Sequence, residues 1–429
     1  MTRVALCADV GSTFTKVAAV GLDTASLLAT AEHRTTVDSD VLHGLDAALA
    51  TVPPGETLDV CSSAGGGLRL AVVGYEELVT AEAGHRVGLS AGARVVHVAA
   101  GRLDRSGLAG VSGARPDVVL LVGGTDGGDA EVLVHNARAL ARLRPRRPVV
   151  VAGNVDGRDE AVAALGTSAV STDNVLPRIG DLNPGPARAA IREVFLRHVI
   201  GGKRLSRGPR FASLVRGPTP DIVLTAVELL AATLGGDVVV VDVGGATTDV
   251  YSVVSPDPDA SPAPADVAGT LWSSRTVEGD LGVRWSAPSV VVAAARERLL
   301  HADEELSLVE GAAARAADPS YLPSDAADRA VELRLAELAA TVAVRRHARG
   351  KDLRRVRLVI GSGGVLRHQP TPARAVLGRL LNDHAGGWTL PRTASVAIDA
   401  DYVLAPAGLL AAAHPVVAAR LLTALTPAA

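Results

Sequence analysis

Ala8-Asp9-Val10-Gly11-Ser12-Thr13-Phe14-Thr15-Lys16-Val17-Ala18-Ala19-Val20 can be laid over Val241-Asp242-Val243-Gly244-Gly245-Ala246-Thr247-Thr248-Asp249-Val250-Tyr251-Ser252-Val253 without a gap. The Asp, Val, Gly, Thr and two later Val positions coincide. Each copy reads as an apolar strand ending in Asp, a tight turn of small residues and a second apolar strand. One such hairpin is an ordinary turn. Two matched copies, one in each half of the chain, point to a duplicated domain that faces itself across a cleft.

The residue types suit a polyphosphate. Gly11, Gly244 and Gly245 let backbone approach an anion and turn successive N–H groups toward it. Ser12, Thr13, Thr247 and Thr248 add hydroxyl donors. Asp9 and Asp242 would be repelled by bare phosphate, so their place implies Mg2+ between carboxylate and phosphate, held through its water shell. Lys16 adds a point charge on the β/γ side of a nucleoside triphosphate.

Around the first hairpin, a strand ending at Asp59–Ser62 runs into the glycines 65–67. Asp117–Val122 ends in Gly123-Gly124-Thr125-Asp126-Gly127-Gly128, with a helical pattern to Arg142 and a strand over Pro148–Ala152. That strand–loop–helix–strand unit predicts a parallel α/β layer. The Pro-, Gly- and Arg-rich stretch Asp173–Pro218 is expected to cross between lobes. A helix over Asp221–Leu234 precedes the second hairpin. Beyond it come a Pro/Asp-rich loop at Ser255–Asp266, helices through much of 288–350, and a strand, Val356–Ile360, that leads to a third glycine loop, Gly361-Ser362-Gly363-Gly364.

Composition narrows the function classes. At 429 residues and 48% hydrophobic, the chain is too long for one core and apolar enough for two. Its 43 basic and 46 acidic residues give a formal net charge of -3, no field for nucleic acid or an anionic membrane. The basic run Arg142-Leu143-Arg144-Pro145-Arg146-Arg147 reads as a solvated helix end. Two cysteines, Cys7 and Cys61, both in apolar strands, make no disulfide framework and fit a reducing, cytoplasmic compartment. No His/Cys cluster has zinc spacing, and the apolar end of the chain is broken by Pro406 and Pro415, so it reads as packed helices.

Asp9-Val10-Gly11-Ser12-Thr13 resembles the phosphate-1 motif of the actin, Hsp70 and sugar-kinase superfamily, Asp242 to Asp249 its phosphate-2 motif, and Ile360 to Val365 its adenosine motif. Thr225–Glu228 and Ala405–Leu410 stand where its hinge helices belong. The resemblance implies an α/β fold of two RNase H-like, actin-like ATPase domains, 1–220 and 221–429, with a nucleotide cleft between them. It also implies an inserted α/β subdomain at about 60–180. A narrower resemblance, carried by Cys61–Leu68, Val122–Gly128, Thr276–Gly282 and Asp399–Leu410, is to the glutamate mutase-associated family called MutL or GlmL, unrelated to the mismatch-repair protein of the same name. It implies ATP and Mg2+ as cofactors, with Asp9 and Asp242 as catalytic and metal-holding residues. Gly11, Ser12, Thr13, Lys16, Gly244, Gly245, Thr247, Thr248, Gly361, Ser362, Gly363 and Gly364 would hold the nucleotide. The implied role is an ATPase that reactivates an adenosylcobalamin-dependent mutase, such as glutamate mutase, by expelling damaged cofactor. A small-molecule kinase, a filament-forming actin relative and a hydantoinase-like amidohydrolase are the alternatives on the same fold.

Several residues keep two readings. The Gly123–Gly128 loop is either an anion site at a helix start or a turn that needs glycine for geometry. Asp126 is a metal-shell acid or, the safer reading, a helix N-cap. Glu278 and Asp280 either position water or a cation, the favoured reading, or form a solvated turn. Arg367 and His368 read as surface residues.

Overall fold

The computed structural model describes residues 3–200, 205–255, 267–268, 271–349, 351–383 and 385–426. The chain forms two compact units, the first drawn mainly from residues up to Leu224 and the second mainly from Thr225 onward.

The first unit opens with strands β1 (Val4–Val10), β2 (Phe14–Gly21), β3 (Ser26–Arg34) and β4 (Thr57–Ser62). The chain then makes an insertion of five strands: β5 (Leu68–Gly74), β6 (Ala93–Ala100), β7 (Val118–Leu121), β8 (Val149–Val151) and β9 (Ala169–Ser171). It returns for β10 (Val215–Pro218), which pairs parallel with β4. The resulting sheet runs β10-β4-β1-β2-β3, with β1 antiparallel to β2 and parallel to β4.

The inserted sheet runs β6-β5-β7-β8-β9 and is parallel throughout. Its strands are joined by helices Glu82–Ser90, Arg105–Gly113, Glu131–Leu140 and Val155–Leu165. Val118–Leu121 and Val149–Val151 are apolar at every position and wholly buried, as parallel strands covered on both faces must be.

The second unit contains β11 (Val238–Val243), β12 (Thr248–Val253), β13 (Ser273–Glu278), β14 (Leu358–Ser362) and β15 (Ser395–Ile398). The order β13-β12-β11-β14-β15 repeats that of the first sheet strand for strand, again with one antiparallel hairpin at the centre. This is the RNase H-like order, and the duplication seen in two short stretches of sequence therefore extends to both whole sheets. The helix Ala326–His347 packs on β11 and β12, and Leu404–Leu410 is buried along its whole length. Of the loop read at Ser255–Asp266, residues 256–266 lie outside the described residues. Among the described residues, no helix is long and apolar enough to cross a membrane.

One expectation fails. Asp173–Pro218 does not cross between lobes; its helix Pro184–Val194 and β10 belong to the first unit. Two of its arginines are spent internally: Arg188 and Arg192 engage the buried carboxylate of Asp221 at 3.3 and 2.5 Å. The helix Thr219–Leu234 is the segment that passes from one unit to the other.

Candidate functional site

The two hairpins share one register. Asp9 stands opposite Lys16 and Val10 opposite Thr15; Asp242 stands opposite Asp249 and Val243 opposite Thr248. The same bond closes each turn, Gly11 N–H donating to Phe14 O at 3.1 Å and Gly244 N–H to Thr247 O at 2.9 Å. A Cβ on either glycine would meet that oxygen at 2.8 Å. Close approach, not a left-handed φ, is what demands glycine at these two positions.

In the first unit, β4 sets Cys61 beside Asp9. Directly opposed strand residues share a sheet face, so Asp9, Lys16 and Cys61 lie on one face. Asp9 is buried and accepts the Thr219 hydroxyl at 2.6 Å and the Cys61 thiol at 3.7 Å. Burial, reinforced by the charge of Asp9, pushes the Cys61 thiol up, so it stays protonated and donates. Ser12 donates to Ser63 O at 3.3 Å, and Thr35 N–H donates to Thr13 O at 2.9 Å.

In the second unit, Asp242, Asp249 and Ser362 share a face. Asp249 is neutralised by the buried Arg275, whose Nε donates to it at 2.8 Å. The loop is braced by the turn that follows β13. Val283 N–H donates to Gly244 O at 3.0 Å, Arg284 N–H to Gly245 O at 2.8 Å and the Ser286 hydroxyl to Ala246 O at 3.1 Å.

Gly363 presses against this hairpin: at φ +97°, its Cβ would stand 2.1 Å from Val243 O and 2.9 Å from an Asp242 carboxylate oxygen. Gly364 opens the short helix Gly364–Arg367.

Two residues expected to hold nucleotide face elsewhere. Thr248 is fully buried and donates its hydroxyl to Leu281 O at 2.6 Å, so it braces the loop instead of gripping phosphate. Its counterpart Thr15 is likewise fully buried, against the Thr35 hydroxyl at 3.1 Å. Gly361 points into the core, where a Cβ would meet Leu377 and Ile398 at 2.9 Å. Thr247 lies at the turn, with its hydroxyl donated to Asp249 at 3.1 Å.

Glu278 and Asp280 do meet a cation, but it is the guanidinium of Arg346, at 2.7 and 2.8 Å. This triad anchors the bracing turn. Geometry by itself accounts for the glycine at position 124 of the Gly123–Gly128 loop. Gly124 sits at φ +71° with Asp129 O 2.3 Å from where a Cβ would be, and Asn154 and Asn174 donate to the carbonyls of Gly128 and Gly124. Asp126 is not an N-cap: the helix Val155–Leu165 is capped by Asn154, and Asp126 reaches it from the loop to accept Val155 N–H at 3.1 Å. Arg367 lies over the Tyr402 ring at 5.4 Å.

Thr219, Arg275 and the 281–286 turn were not legible in the sequence as part of a site. Thr219 lies 210 positions from Asp9, and nothing in its Pro-Thr-Pro surroundings signals the bond.

The family model for MutL protein matches residues 5–425. This chain belongs to the MutL family. Protein MutL of Clostridium tetanomorphum is 34% identical over 451 aligned positions, covering 97% of this chain and 98% of that relative. Solved structures resemble this MutL-family chain far more loosely. Component A of (R)-2-hydroxyglutaryl-CoA dehydratase from Acidaminococcus fermentans is 10% identical, with 98% and 97% of the two chains covered and a TM-score of 0.30. Acetate kinase from Porphyromonas gingivalis is 11% identical, with 97% and 99% covered and a TM-score of 0.32.

Among the described residues no cluster of three or more His, Cys, Asp or Glu could hold a metal by itself. Magnesium does not need one, because it binds through one or two carboxylates with phosphate oxygens and water. Each hairpin fits that pattern by itself: Asp9 is the carboxylate of the first, and Asp242 that of the second, where Asp249 is paired with Arg275. Beside each carboxylate are turn N–H groups, those of Ser12, Thr13, Gly245 and Ala246, with no acceptor among the described residues.

Proposed function

We propose that the chain binds Mg-ATP, each hairpin supplying one phosphate loop, and hydrolyses it to drive reactivation of an adenosylcobalamin-dependent mutase. The observation that supports nucleotide binding is the repeated hairpin: same register, same closing bond, and a carboxylate at the same strand position in each unit. Bound magnesium would neutralise charge on the phosphates. The protein's own part is to hold those phosphates on turn N–H groups and to orient Asp9 and Asp242 toward the ion's water shell. The mutase as client, and expulsion of damaged cofactor as the outcome, follow from the family resemblance.

Two measurements test the reading. ATP turnover is assayed with the protein alone and then with a cobalamin-inactivated glutamate mutase. Turnover without any metabolite, stimulated by the inactivated mutase and accompanied by released cofactor, is the expected result. Turnover that requires a small-molecule acceptor would replace it with a kinase.

A further inference from the structure

On the inserted sheet, the edge at which the parallel strands begin carries a pocket of about 230 Å³. Val111, Pro116, Leu143 and Pro145 form its apolar walls, and Arg115 and Arg147 stand at its rim. Arg142 and Arg146 extend the positive charge along the same loop, both exposed. No ion pair to any of these four arginines is found among the described residues. The nearest acid in the chain, Asp117, accepts the Arg69 backbone N–H at 3.0 Å.

The rim is built, not frayed. Arg115 holds φ +47°, a conformation that side-chain-bearing residues avoid, and the Arg69 guanidinium fixes it by donating to Arg115 O at 3.1 Å and Ala114 O at 2.8 Å. Its place just past the C-cap of the helix Arg105–Gly113 makes this the left-handed residue that ends the helix.

We infer that this edge docks an acidic segment of a partner protein, with one aliphatic side chain in the pocket and flanking carboxylates on Arg115 and Arg147. Guanidinium forks pair with carboxylates in bidentate geometry. The pocket is smaller than the range of roughly 300–1,000 Å³ usual for small-molecule sites, but holds one side chain. The arginines beyond it suit an extended chain. A nucleic acid is disfavoured because the walls offer no aromatic ring for stacking. The inference is independent of the nucleotide reading, since none of these residues belongs to the hairpins.

The test uses the full chain and fluorescent peptides of sequence Glu-Glu-Leu-Glu-Glu and Glu-Glu-Ser-Glu-Glu, followed by anisotropy at low and high salt. The leucine peptide should bind about tenfold tighter, the order expected for burying one leucine side chain. Salt should weaken both. Arg115→Glu with Arg147→Glu should abolish binding, with a circular dichroism melt to show that the variant is folded. Equal affinity of the two peptides on the unaltered chain overturns the proposal. So does absence of binding, or a short DNA duplex that binds more tightly than the leucine peptide.

Discussion

The two hairpins are alike in backbone and unlike in what surrounds them. At the first, Asp9 is buried, opposite Lys16, and receives hydrogen bonds from Thr219 and Cys61. At the second, Asp242 stands opposite another acid, Asp249, whose charge is taken by Arg275. The first loop is held by the Ser12 hydroxyl and by the N–H of Thr35 just past β3, the second by a dedicated turn that ties down three successive carbonyls, two with backbone N–H groups and the third with the Ser286 hydroxyl. Duplication preserved the trace that presents N–H groups and a carboxylate, while each copy acquired its own way of keeping that trace rigid.

The sharpest contrast lies one strand over. Continuing the strand registers, Ser62 in the first unit corresponds to Gly363 in the second. Ser62 donates its hydroxyl to Val10 O at 3.1 Å, whereas a Cβ on Gly363 would lie 2.1 Å from the equivalent oxygen of Val243. Gly363→Ala should therefore be the most damaging single change, at about 4 kcal/mol or more, because both the clash and the positive φ must be relieved by moving backbone. Ser62→Ala should cost only about 1–2 kcal/mol, from losing the bond to Val10 O and the one accepted from Ala64 N–H. Urea unfolding curves of the two variants check the pair; comparable losses would mean that the two strand ends are not so differently packed.

Next in size comes the acid at each strand end. Asp9→Ala and Asp242→Ala should each weaken Mg-dependent ATP binding on the order of 100-fold, the scale of losing a metal-orienting group. Calorimetric titration with and without Mg2+ checks this. The double variant decides whether one nucleotide uses both: a combined loss equal to the larger single loss supports a shared ligand, and two independent binding events would contradict it.

The bracing turn gives a smaller effect with a pH signature. Arg346→Ala strips Glu278 and Asp280 of their partner and should cost about 1–2 kcal/mol. Burial works against ionisation of Asp280, but the hydrogen bonds and charge of Arg346 outweigh it and hold its carboxyl below the usual range. A lowered folded-state value stabilises the protein above the unfolded carboxylate's pKa, about 4, and that contribution is lost as pH falls through the folded value. The stability gap between the native chain and Arg346→Ala should thus be full at neutral pH and shrink in acid below about pH 4. A gap that stays constant down to acid would remove Asp280 from the account.

Both hairpins and the glycine loops were legible because strand periodicity, turn glycines and a repeated Asp are local signals. The inserted parallel layer was legible for the same reason, from the strand–loop–helix–strand run ending at Ala152. What supports these features was not, because it arrives from distant sequence. Arg346 closes on Glu278 across 68 positions, and Arg275 reaches Asp249 across 26. Thr248 misled for a related reason: alternation along β12 turns it inward, so a hydroxyl that looks available at the turn is spent on Leu281. Asp173–Pro218 misled through composition, since Pro, Gly and Arg suggest a linker unless the buried Asp221 that consumes two of the arginines is known.

Thr219 offers a finer contrast between the two units: it opens the helix that follows β10, whereas β15 leads to Asp399, which accepts the N–H of Val403 at 2.7 Å. Thr219→Val keeps the shape and removes the donor, leaving a buried carboxylate one hydrogen bond short at a cost of about 1 kcal/mol. Thr219→Ser restores the hydroxyl and should recover most of it. Since Thr219 belongs to the helix that passes from the first unit to the second, the bond ties Asp9 to the start of that helix. Magnesium bound near Asp9 would compete for the same carboxylate, so the difference between the Val and Ser variants should narrow when unfolding is measured with saturating Mg-ATP. A difference unchanged by nucleotide would make the bond purely structural, and Asp9 would lose its place in the first phosphate loop.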